Sequence, residues 1–241
     1  MKFLQTTKPA RSSKQPLVYA HRGASGDFTE MSIEAFTGAV KQGADGFECD
    51  VRLTKDGTLV LWHDEDLTRI TSCDGKIAEL TYSDVKNIFP ILTVQELLEL
   101  AIKEKKNIAF ETKHPVPTKL AVEKELVKVL DSRKVSIERA GIHISIMSFS
   151  WWAVAKLMRS KWPAVTLVYN TPGLKRAISK TVAIELEQIR NDPKIVSRLH
   201  AKGRRVYVWT INTHEDARLV TKAGVDVIIT DYPRIIREVL Q

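Results

Sequence analysis

Two carboxylates separated by one residue are the most chemically distinctive feature of this sequence. Glu48 and Asp50 lie in the apolar run 45–53, which predicts a β-strand. Because residues two apart in a strand point to the same face, both carboxylates project together and Cys49 projects the other way. Two like charges on one face raise each other's pKa unless a cation lies between them. A hard divalent cation with oxygen ligands would supply that charge.

A histidine is predicted to lie beside this pair. Residues 54–57 carry an Asp-Gly turn signal ahead of the apolar run 59–63, so we expect a β-hairpin here. Symmetric pairing about the turn would bring His63 roughly opposite Glu48. The hairpin therefore predicts an imidazole next to the two carboxylates.

A third carboxylate follows at the end of another apolar run. Residues 107–111 predict a strand that ends in Glu111, and Lys113 shares the face of Glu111 because of the two-residue period. Glu111 would complete the protein ligands of a divalent metal site. Lys113 beside it could hold an anionic substrate.

The elements that must position these groups recur along the whole chain. Apolar runs of strand length alternate with amphipathic helical stretches, which predicts parallel strands joined by helices. The eight predicted strands are 17–21, 45–53, 107–111, 142–148, 164–169, 181–186, 205–210 and 226–230, with 59–63 left over as the hairpin partner. The predicted helices are 32–42, 93–105, 118–132, 151–159, 193–202 and 214–223, with shorter ones around 82–88 and 174–179. Eight such units predict a closed (β/α)8 TIM-type barrel, and a chain of 241 residues suits a single domain of that kind.

The chemically distinctive residues cluster where such a barrel would place an active site. Active sites of these barrels lie at the C-terminal ends of the strands. The polar and aromatic residues at or near the predicted strand ends are His21, Arg22, Glu48, Asp50, Glu111, Lys113, Trp209 and Asp231. The barrel prediction therefore brings them to one face of the molecule.

Several motifs, in this order and spacing, resemble those of the glycerophosphodiester phosphodiesterases. They are HRGASG at 21–26, the ExD strand at 48–50, the turn TKDG at 54–57 leading into HD at 63–64, and ExK at 111–113. The resemblance continues through YVWTINT at 207–213 and GVDVIITDYP at 224–233. It implies an enzyme of lipid and glycerol metabolism that hydrolyses small glycerophosphodiesters to glycerol 3-phosphate and an alcohol.

The resemblance also implies a role for each residue of the acidic and histidine motifs. Glu48, Asp50 and Glu111 resemble the divalent-metal ligands of these enzymes. The metal would be Mg²⁺ or Ca²⁺, because both ions take oxygen ligands. His21 and His63 resemble the acid–base pair.

Three further residues resemble the substrate-binding groups of the family. Arg22 and Lys113 match phosphate-binding positions, and Trp209 matches a position where these enzymes often present an aromatic wall near the substrate. The resemblance leaves the nucleophile open, which is either water or the neighbouring hydroxyl of the glycerol.

Three features depart from the family pattern, the smallest being Ile70, where a threonine is usual. Residues 29–32 read Thr-Glu-Met-Ser where these enzymes usually read Pro-Glu-Asn-Thr, so Met31 replaces an asparagine. A small inserted subdomain is common between His63 and Glu111, whereas residues 64–93 predict only a loop and one short helix around 82–88. This shortened insertion predicts a more open substrate site.

The composition is that of a globular enzyme with a basic surface. Hydrophobic residues make up 44% of the chain, enough for a sizeable core, and the net charge is +8. Residues 1–16 contain four basic residues and no acidic ones, which predicts a flexible N-terminal extension ahead of a barrel domain at 17–241. The remaining excess is read as scattered Lys/Glu mixtures on helices, without an RNA-binding signature, so we expect no nucleic-acid partner. A basic surface would favour anionic substrates or loose contact with anionic lipid.

The sequence also predicts the compartment. No apolar run approaches the roughly 20 residues that span a bilayer, and the N-terminal segment lacks the apolar stretch of a secretory signal. We therefore expect no transmembrane segment and a cytoplasmic location. Cys49 and Cys73 are expected to be free thiols. The sequence leaves the oligomeric state open.

Two other functions stay open at this point. The same barrel could act as a lysophospholipase D or on phosphoinositides, which predicts an apolar rim near the site. The candidates for that rim are Phe28, Trp62, Phe89 and Trp151. The chain could also be a degenerate barrel that binds phosphodiesters without turnover, although all seven polar candidate residues are present.

Overall fold

Parallel strands close into a barrel in the computed structural model, which describes residues 15–241. The predicted N-terminal extension, 1–16, lies outside the described residues except for its last two positions. The described part forms a single TIM-type barrel domain with one hairpin strand attached, as the sequence predicts. None of the helices within 15–241 is long and apolar enough to cross a membrane.

The strands match the predicted ones to within two residues at each end. They are β1 Leu17–His21, β2 Gly46–Leu53, β3 Leu59–Leu61, β4 Asn107–Thr112, β5 Ile144–Ser148, β6 Ala164–Val168, β7 Thr181–Glu185, β8 Arg205–Trp209 and β9 Val227–Thr230. Strand β3 pairs antiparallel with β2, so the predicted hairpin is confirmed. The other strands pair in parallel in the order β1-β9-β8-β7-β6-β5-β4-β2, and the β1–β2 pairing closes the barrel.

The helices lie between the strands. They are α1 Ile33–Lys41, α2 Tyr82–Ile88, α3 Val94–Glu104, α4 Ala121–Ser132, α5 Lys134–Ala140, α6 Trp151–Leu157, α7 Thr171–Arg176, α8 Leu186–Asn191, α9 Ile195–Ala201, α10 His214–Ala223 and α11 Pro233–Leu240. A 3-10 turn, Ile77–Glu79, precedes α2 in the predicted shortened insertion. Helices α5, α8 and α11 are not predicted from the sequence.

The predicted helix around 174–179 is wrong by one turn. Helix α7 instead begins at Thr171, because the side chain of Asn170 accepts a hydrogen bond from the backbone N–H of Gly173 at 2.9 Å. Pro172 lies in the first turn, where its missing N–H costs nothing. The Asn-Thr-Pro-Gly sequence is therefore a helix start.

Alternation along the strands separates an inner from an outer layer of side chains. On β2, Phe47, Cys49 and Val51 are buried against the helices, and Cys49 is a free thiol. Glu48 and Asp50 take the opposite face, as the two-residue period requires. The barrel interior is filled by Tyr19, Ala109, Met147, Val165, Leu167, Ala183, Tyr207, Val227 and Ile229. The carboxylates thus lie above a packed apolar plug, which fixes their position.

The loop after β1 depends on a glycine that no other residue can replace cheaply. Gly23 has φ +83°, and a Cβ built on it would lie 2.6 Å from the Cβ of Ala35 on α1 and 2.7 Å from its backbone carbon. We expect Gly23→Ala to lower the free energy of unfolding by about 2–4 kcal/mol, from left-handed strain plus overpacking. Urea unfolding would measure this.

The matched control for that substitution is Gly57→Ala. Gly57 has φ +82°, but its Cβ would meet no atom within 4 Å. It should cost only the backbone strain, about 1–2 kcal/mol. If both variants lost the same free energy of unfolding, overpacking against α1 would contribute nothing at Gly23. The close contact with α1 would then not hold the loop beside His21 and Arg22.

His143, which precedes β5, makes the stability of the fold depend on pH. Burial lowers the pKa of His143 to about 4, and Arg205 adds to the shift. Between the ordinary value of about 6.5 and this value, the unfolded chain binds a proton that the folded chain does not. This group should therefore remove about 2–3 kcal/mol of stability as the pH falls from 7 to 4.5.

Urea unfolding at several pH values would measure this effect in His143→Gln. The variant should lose less stability than the wild type over the same pH interval. The control is His214→Gln, since His214 is exposed and paired with Glu238. Parallel pH profiles for the wild type and His143→Gln would contradict the assignment.

Candidate active site

Strand register brings the three predicted carboxylates together at the C-terminal end of the barrel. In the parallel pairing, His21 on β1 lies opposite Glu48, and Asp50 lies opposite Glu111 on β4. One carboxylate oxygen from each of Glu48, Asp50 and Glu111 lies within 4.8 Å of the others. All three side chains are buried. This cluster is the candidate metal centre.

The electrostatics of the cluster are those of a site short of positive charge. Burial, then repulsion by Asp50 and Glu111, raises the pKa of Glu48 well above its usual value. Burial and Asp50 likewise raise the pKa of Glu111 to about 7. Burial would raise the pKa of Asp50 too, but Lys113 and Arg22 outweigh it and hold that pKa below its usual value.

Two basic side chains already contact the carboxylates. The Nζ of Lys113 lies 2.7 Å from an oxygen of Asp50 and 2.7 Å from an oxygen of Glu111. The Nε of Arg22 lies 3.0 Å from the other oxygen of Asp50. Both groups, predicted to bind substrate phosphate, therefore lie on the cluster.

The donor set fits a hard divalent cation. Three carboxylates supply oxygen ligands, and Lys113 and Arg22 leave one negative charge uncompensated when all three are ionised. The Oε2 of Glu48 is buried and has no hydrogen-bond partner within residues 15–241. A bound cation would satisfy this oxygen and lower the raised pKa values. The three carboxylates therefore fit the divalent cation that the sequence implies.

His21 is held in one orientation by a carboxylate that the sequence analysis left without a role. The Nδ1 of His21 lies 2.7 Å from Asp231, which also accepts hydrogen bonds from Ser25 and Asn212. Because Asp231 is an acceptor, Nδ1 carries the proton and Nε2 presents its lone pair. Nε2 lies 3.9 Å from Glu48.

His63 also has a carboxylate partner, its neighbour in sequence. The Nδ1 of His63 lies 2.8 Å from Asp64, so this imidazole too is oriented through Nδ1. Burial lowers the pKa of His63 below its usual value. The neutral form, which accepts a proton, is therefore favoured near neutral pH. The HD motif at 63–64 is the only feature of the sequence that indicates a role for Asp64.

His63 reaches the site by a different route from the predicted one. Val51 pairs with Leu61, and continuing that register would place His63 opposite Cys49, on the wrong face of β2. The register instead ends at Trp62, whose N–H still donates to the carbonyl of Asp50 and whose side chain joins Val60 in a small apolar cluster beneath the insertion. The chain bends from His63 onwards. This bend brings His63 to the pocket that Glu48 lines.

A chain of ion pairs links the two histidine loops. Arg69 donates to Asp64, the partner of His63, and to both oxygens of Glu30. Glu30 in turn accepts from Arg22, which contacts Asp50. No pattern in the sequence predicts this role of Glu30 and Arg69. The network holds the loops after β1 and β3 in a fixed relation.

Met31 occupies a backbone position that suits the asparagine usual in the family. Its φ is +56°, in the left-handed region that asparagine tolerates better than methionine. Its backbone N–H donates to the carbonyl of Arg22 at 2.8 Å, and its side chain is buried in the core. An apolar side chain therefore takes this left-handed position, where the sequence resemblance leads to the expectation of an amide.

An aromatic wall forms the other side of the pocket. The rings of Phe149 and Tyr169 stack at 4.2 Å, and Trp209 contacts Tyr169 edge-on at 5.3 Å. All three line a pocket of about 140 Å³ together with His21, Arg22, Glu48, His63, Glu111 and Lys113. Every predicted site residue except Asp50 lines this pocket, and Asp50 contacts two of its lining residues, Arg22 and Lys113. Phe149 and Tyr169 were not predicted.

The four candidates for an apolar rim divide into two groups. Trp62 and Phe89 pack against each other at 5.4 Å inside the insertion, so neither forms the rim. Phe28 is exposed beside α1. Trp151 is exposed in a groove that shares Phe149 and Tyr169 with the pocket.

Comparisons with known proteins agree with this geometry. The sequence profile of the glycerophosphoryl diester phosphodiesterase family matches residues 21–235. A probable glycerophosphodiester phosphodiesterase 1 of Mycobacterium tuberculosis is 33% identical over 90% of this chain and 90% of its own length.

Solved structures show the same barrel. A glycerophosphodiester phosphodiesterase from Thermotoga maritima has a TM-score of 0.79 at 25% identity, covering 94% of this chain and 98% of its own. A phosphodiesterase from Oleispira antarctica, solved with its product sn-glycerol-3-phosphate, has a TM-score of 0.84 at 24% identity, covering 94% and 97%. The chain belongs to the glycerophosphoryl diester phosphodiesterase family, a family of hydrolases.

Proposed function

We propose that the protein is a metal-dependent phosphodiesterase that hydrolyses glycerophosphodiesters to glycerol 3-phosphate and an alcohol. The observation that carries this proposal is the convergence of three buried carboxylates and two oriented histidines on one pocket. Family membership supports the same activity. Oriented imidazoles beside an acidic cluster are also hard to explain in a barrel that only binds phosphodiesters.

Glu48, Asp50 and Glu111 are the proposed ligands of one divalent cation. When bound, Mg²⁺ or Ca²⁺ would neutralise charge that develops on the phosphate oxygens. Three carboxylates suit either ion, since the two differ mainly in size and coordination number.

His21 and His63 are the proposed acid–base pair. One imidazole takes the proton of the attacking hydroxyl through Nε2, while the other gives a proton to the alkoxide oxygen as the phosphorus–oxygen bond breaks. Each transfer is typically worth about 10²–10⁴ in rate. Asp231 and Asp64 keep each Nδ1 protonated, so each Nε2 is available for the transfer.

Substrate binding is assigned to the basic and aromatic sides of the pocket. Arg22 and Lys113 would hold the anionic phosphate oxygens, because both side chains line the pocket. The indole N–H of Trp209 is buried without an acceptor within residues 15–241, which leaves it free to donate to a substrate oxygen. The aromatic wall would contact the carbon skeleton of the substrate.

Lysophospholipids are a second candidate substrate class. The observation that favours them is the groove beside the pocket, lined by Trp151 and Trp152 and continuous with Phe149 and Tyr169. Such a groove could accept the apolar tail of a lysophospholipid whose phosphodiester lies at the carboxylates.

Release of glycerol 3-phosphate from glycerophosphocholine by the purified protein tests the main proposal. The assay is run with a chelator, with Mg²⁺ and with Ca²⁺, and lysophosphatidylcholine is tested in parallel by release of choline and lysophosphatidic acid. We expect release with at least one metal and none with the chelator. No release from either substrate with any metal would contradict the assigned activity.

Metal binding should also be visible without turnover. Because a cation would bind the folded chain alone, saturating metal is expected to stabilise it by about 3 kcal/mol at 100 times the dissociation constant. Thermal unfolding with chelator and with each metal measures this as a rise in melting temperature. Glu111→Gln should lose most of the rise, and an equal rise in that variant would place the ion elsewhere.

A further inference from the structure

A continuous stretch of the sequence contains basic residues and no acidic ones. Residues 139–184 hold seven lysines and arginines without a single aspartate or glutamate. The stretch therefore carries +7, against a net charge of +8 for the whole chain. We expected the excess positive charge outside residues 1–16 to be scattered along helices. That expectation is wrong, because the charge is concentrated in this stretch.

The same stretch carries large aromatic side chains that the fold leaves in solvent. Trp151 is 46% exposed, Trp152 is 71% exposed and Tyr169 is 58% exposed. The two tryptophan rings contact each other edge-on at 4.9 Å. Exposed pairs of tryptophans are costly in water and suggest a partner surface.

These aromatic residues line a single groove at the mouth of the barrel. The groove is lined by Trp151, Trp152 and Tyr169 together with Arg176. Trp151 begins the helix after β5, and Tyr169 follows β6 directly, so both lie at the strand ends that form the active-site face. The groove and the catalytic pocket share Phe149 and Tyr169.

Free positive charge lies beside the aromatic groove. Lys175 and Arg176 end helix α7 and are both exposed. Neither makes an ion pair with any residue of the described range 15–241. Their charges are therefore available to an external anion.

We infer that this aromatic and basic face, formed by Trp151, Trp152, Tyr169, Lys175 and Arg176, docks on an anionic phospholipid surface. Tryptophan and tyrosine rings favour the boundary between lipid head groups and acyl chains, because one part of each ring system is apolar and the other is polar. Lysine and arginine next to them are attracted by the negative surface potential of the lipid. A surface-bound protein needs no spanning helix.

Docking in this orientation turns the barrel mouth towards the lipid surface. The catalytic pocket adjoins the groove through shared residues, so a lysophospholipid held in the lipid surface would reach the pocket without crossing bulk water. The inference goes beyond the proposed function, since binding to lipid can be measured whether or not the protein turns over a substrate.

Vesicle co-sedimentation of the full chain tests the inference. Wild-type protein should bind vesicles of mixed phosphatidylcholine and phosphatidylglycerol, and bind pure phosphatidylcholine much more weakly. Trp151→Ser with Trp152→Ser should weaken binding to the mixed vesicles by about tenfold or more. Val135→Ser is the matched control, because Val135 is 67% exposed outside the groove, and its binding should be unchanged.

The charge component is tested separately. Lys175→Gln with Arg176→Gln should weaken binding to the mixed vesicles by about 30-fold, because the variant removes two cations that the negative surface potential of the lipid attracts. Lys103→Gln with Lys128→Gln removes two lysines that are 78% and 77% exposed elsewhere, and should have little effect. Unchanged circular dichroism melting curves would show that the variants fold.

Three results would overturn the inference. Wild-type protein could fail to bind the mixed vesicles. The tryptophan variant could bind as tightly as wild type, which would place the contact elsewhere on the chain. The third result is that the wild-type protein binds single-stranded RNA but no vesicles, and that both variants lose the RNA binding. The face would then be a nucleic-acid surface.

Discussion

Glu111→Gln is expected to lower the turnover of glycerophosphocholine by about 10³-fold or more. The substitution keeps the size of the side chain but replaces one of three anionic proposed metal ligands by a neutral amide, and a bound cation typically contributes several kcal/mol to the transition state. Burial and repulsion by Asp50 already raise the pKa of Glu111 to about 7. Its ionised form is therefore costly in the metal-free fold, so the variant should be no less stable than wild type when a chelator is present.

Steady-state kinetics and urea unfolding, run on the same preparation, separate these effects. Glu185→Gln is the matched control, since Glu185 also lies at the C-terminal end of a barrel strand, β7, but outside the carboxylate cluster. It should keep activity within about tenfold of wild type. Retention of more than a tenth of the activity in Glu111→Gln would remove Glu111 from the proposed ligand set.

His21→Ala and His63→Ala should each lower kcat by about 10²–10⁴ and leave KM nearly unchanged. Each imidazole transfers a proton in the proposed reaction, whereas Arg22 and Lys113 hold the substrate. Asp231→Asn should have a smaller effect, about 10–100-fold, because Asp231 orients His21 without touching the reacting atoms.

The pH profile of kcat and rescue by added imidazole distinguish loss of a proton carrier from loss of structure. The alanine variants should recover part of their activity with imidazole, and Asp231→Asn should not. His214→Ala is the control, because His214 is exposed and paired with Glu238 away from the pocket. Full activity in either alanine variant would exclude that histidine from the acid–base pair.

Much of the site could be predicted because strands impose strict geometry. The two-residue period puts Glu48 and Asp50 on one face, and parallel pairing then allows Asp50 to lie opposite Glu111. The bounds of the strands could likewise be predicted, since they coincide closely with the ends of short apolar runs. The rule that active sites of such barrels lie at the C-terminal ends of the strands predicts which face of the barrel carries the site.

The rest of the site depends on contacts between residues far apart in sequence. Asp231 is 210 residues from His21, and only the parallel pairing of β1 with β9 brings them within hydrogen-bond distance. His63 lines the same pocket as Glu48, but a bend after Trp62 brings it there and not the predicted pairing opposite Glu48. No local pattern could predict either contact.

Helices were harder to predict than strands, since loop packing decides them. Helix α8 begins directly after β7, where the apolar residues Leu186 and Ile189 join a core that strands and other helices share. The predicted strand 181–186 therefore included Leu186, which is the first residue of α8 in the structure. Propensity alone does not separate a strand end from a helix start when both are apolar.

The most direct test of the proposed chemistry is phosphorus-31 NMR of glycerophosphocholine incubated with the wild-type protein. With Mg²⁺ or Ca²⁺, we expect the diester resonance to be replaced by that of glycerol 3-phosphate, with no change when a chelator is present. A transient cyclic glycerophosphate resonance would identify the glycerol hydroxyl as the nucleophile. Formation of phosphocholine, or an unchanged diester with both metals, would contradict the account.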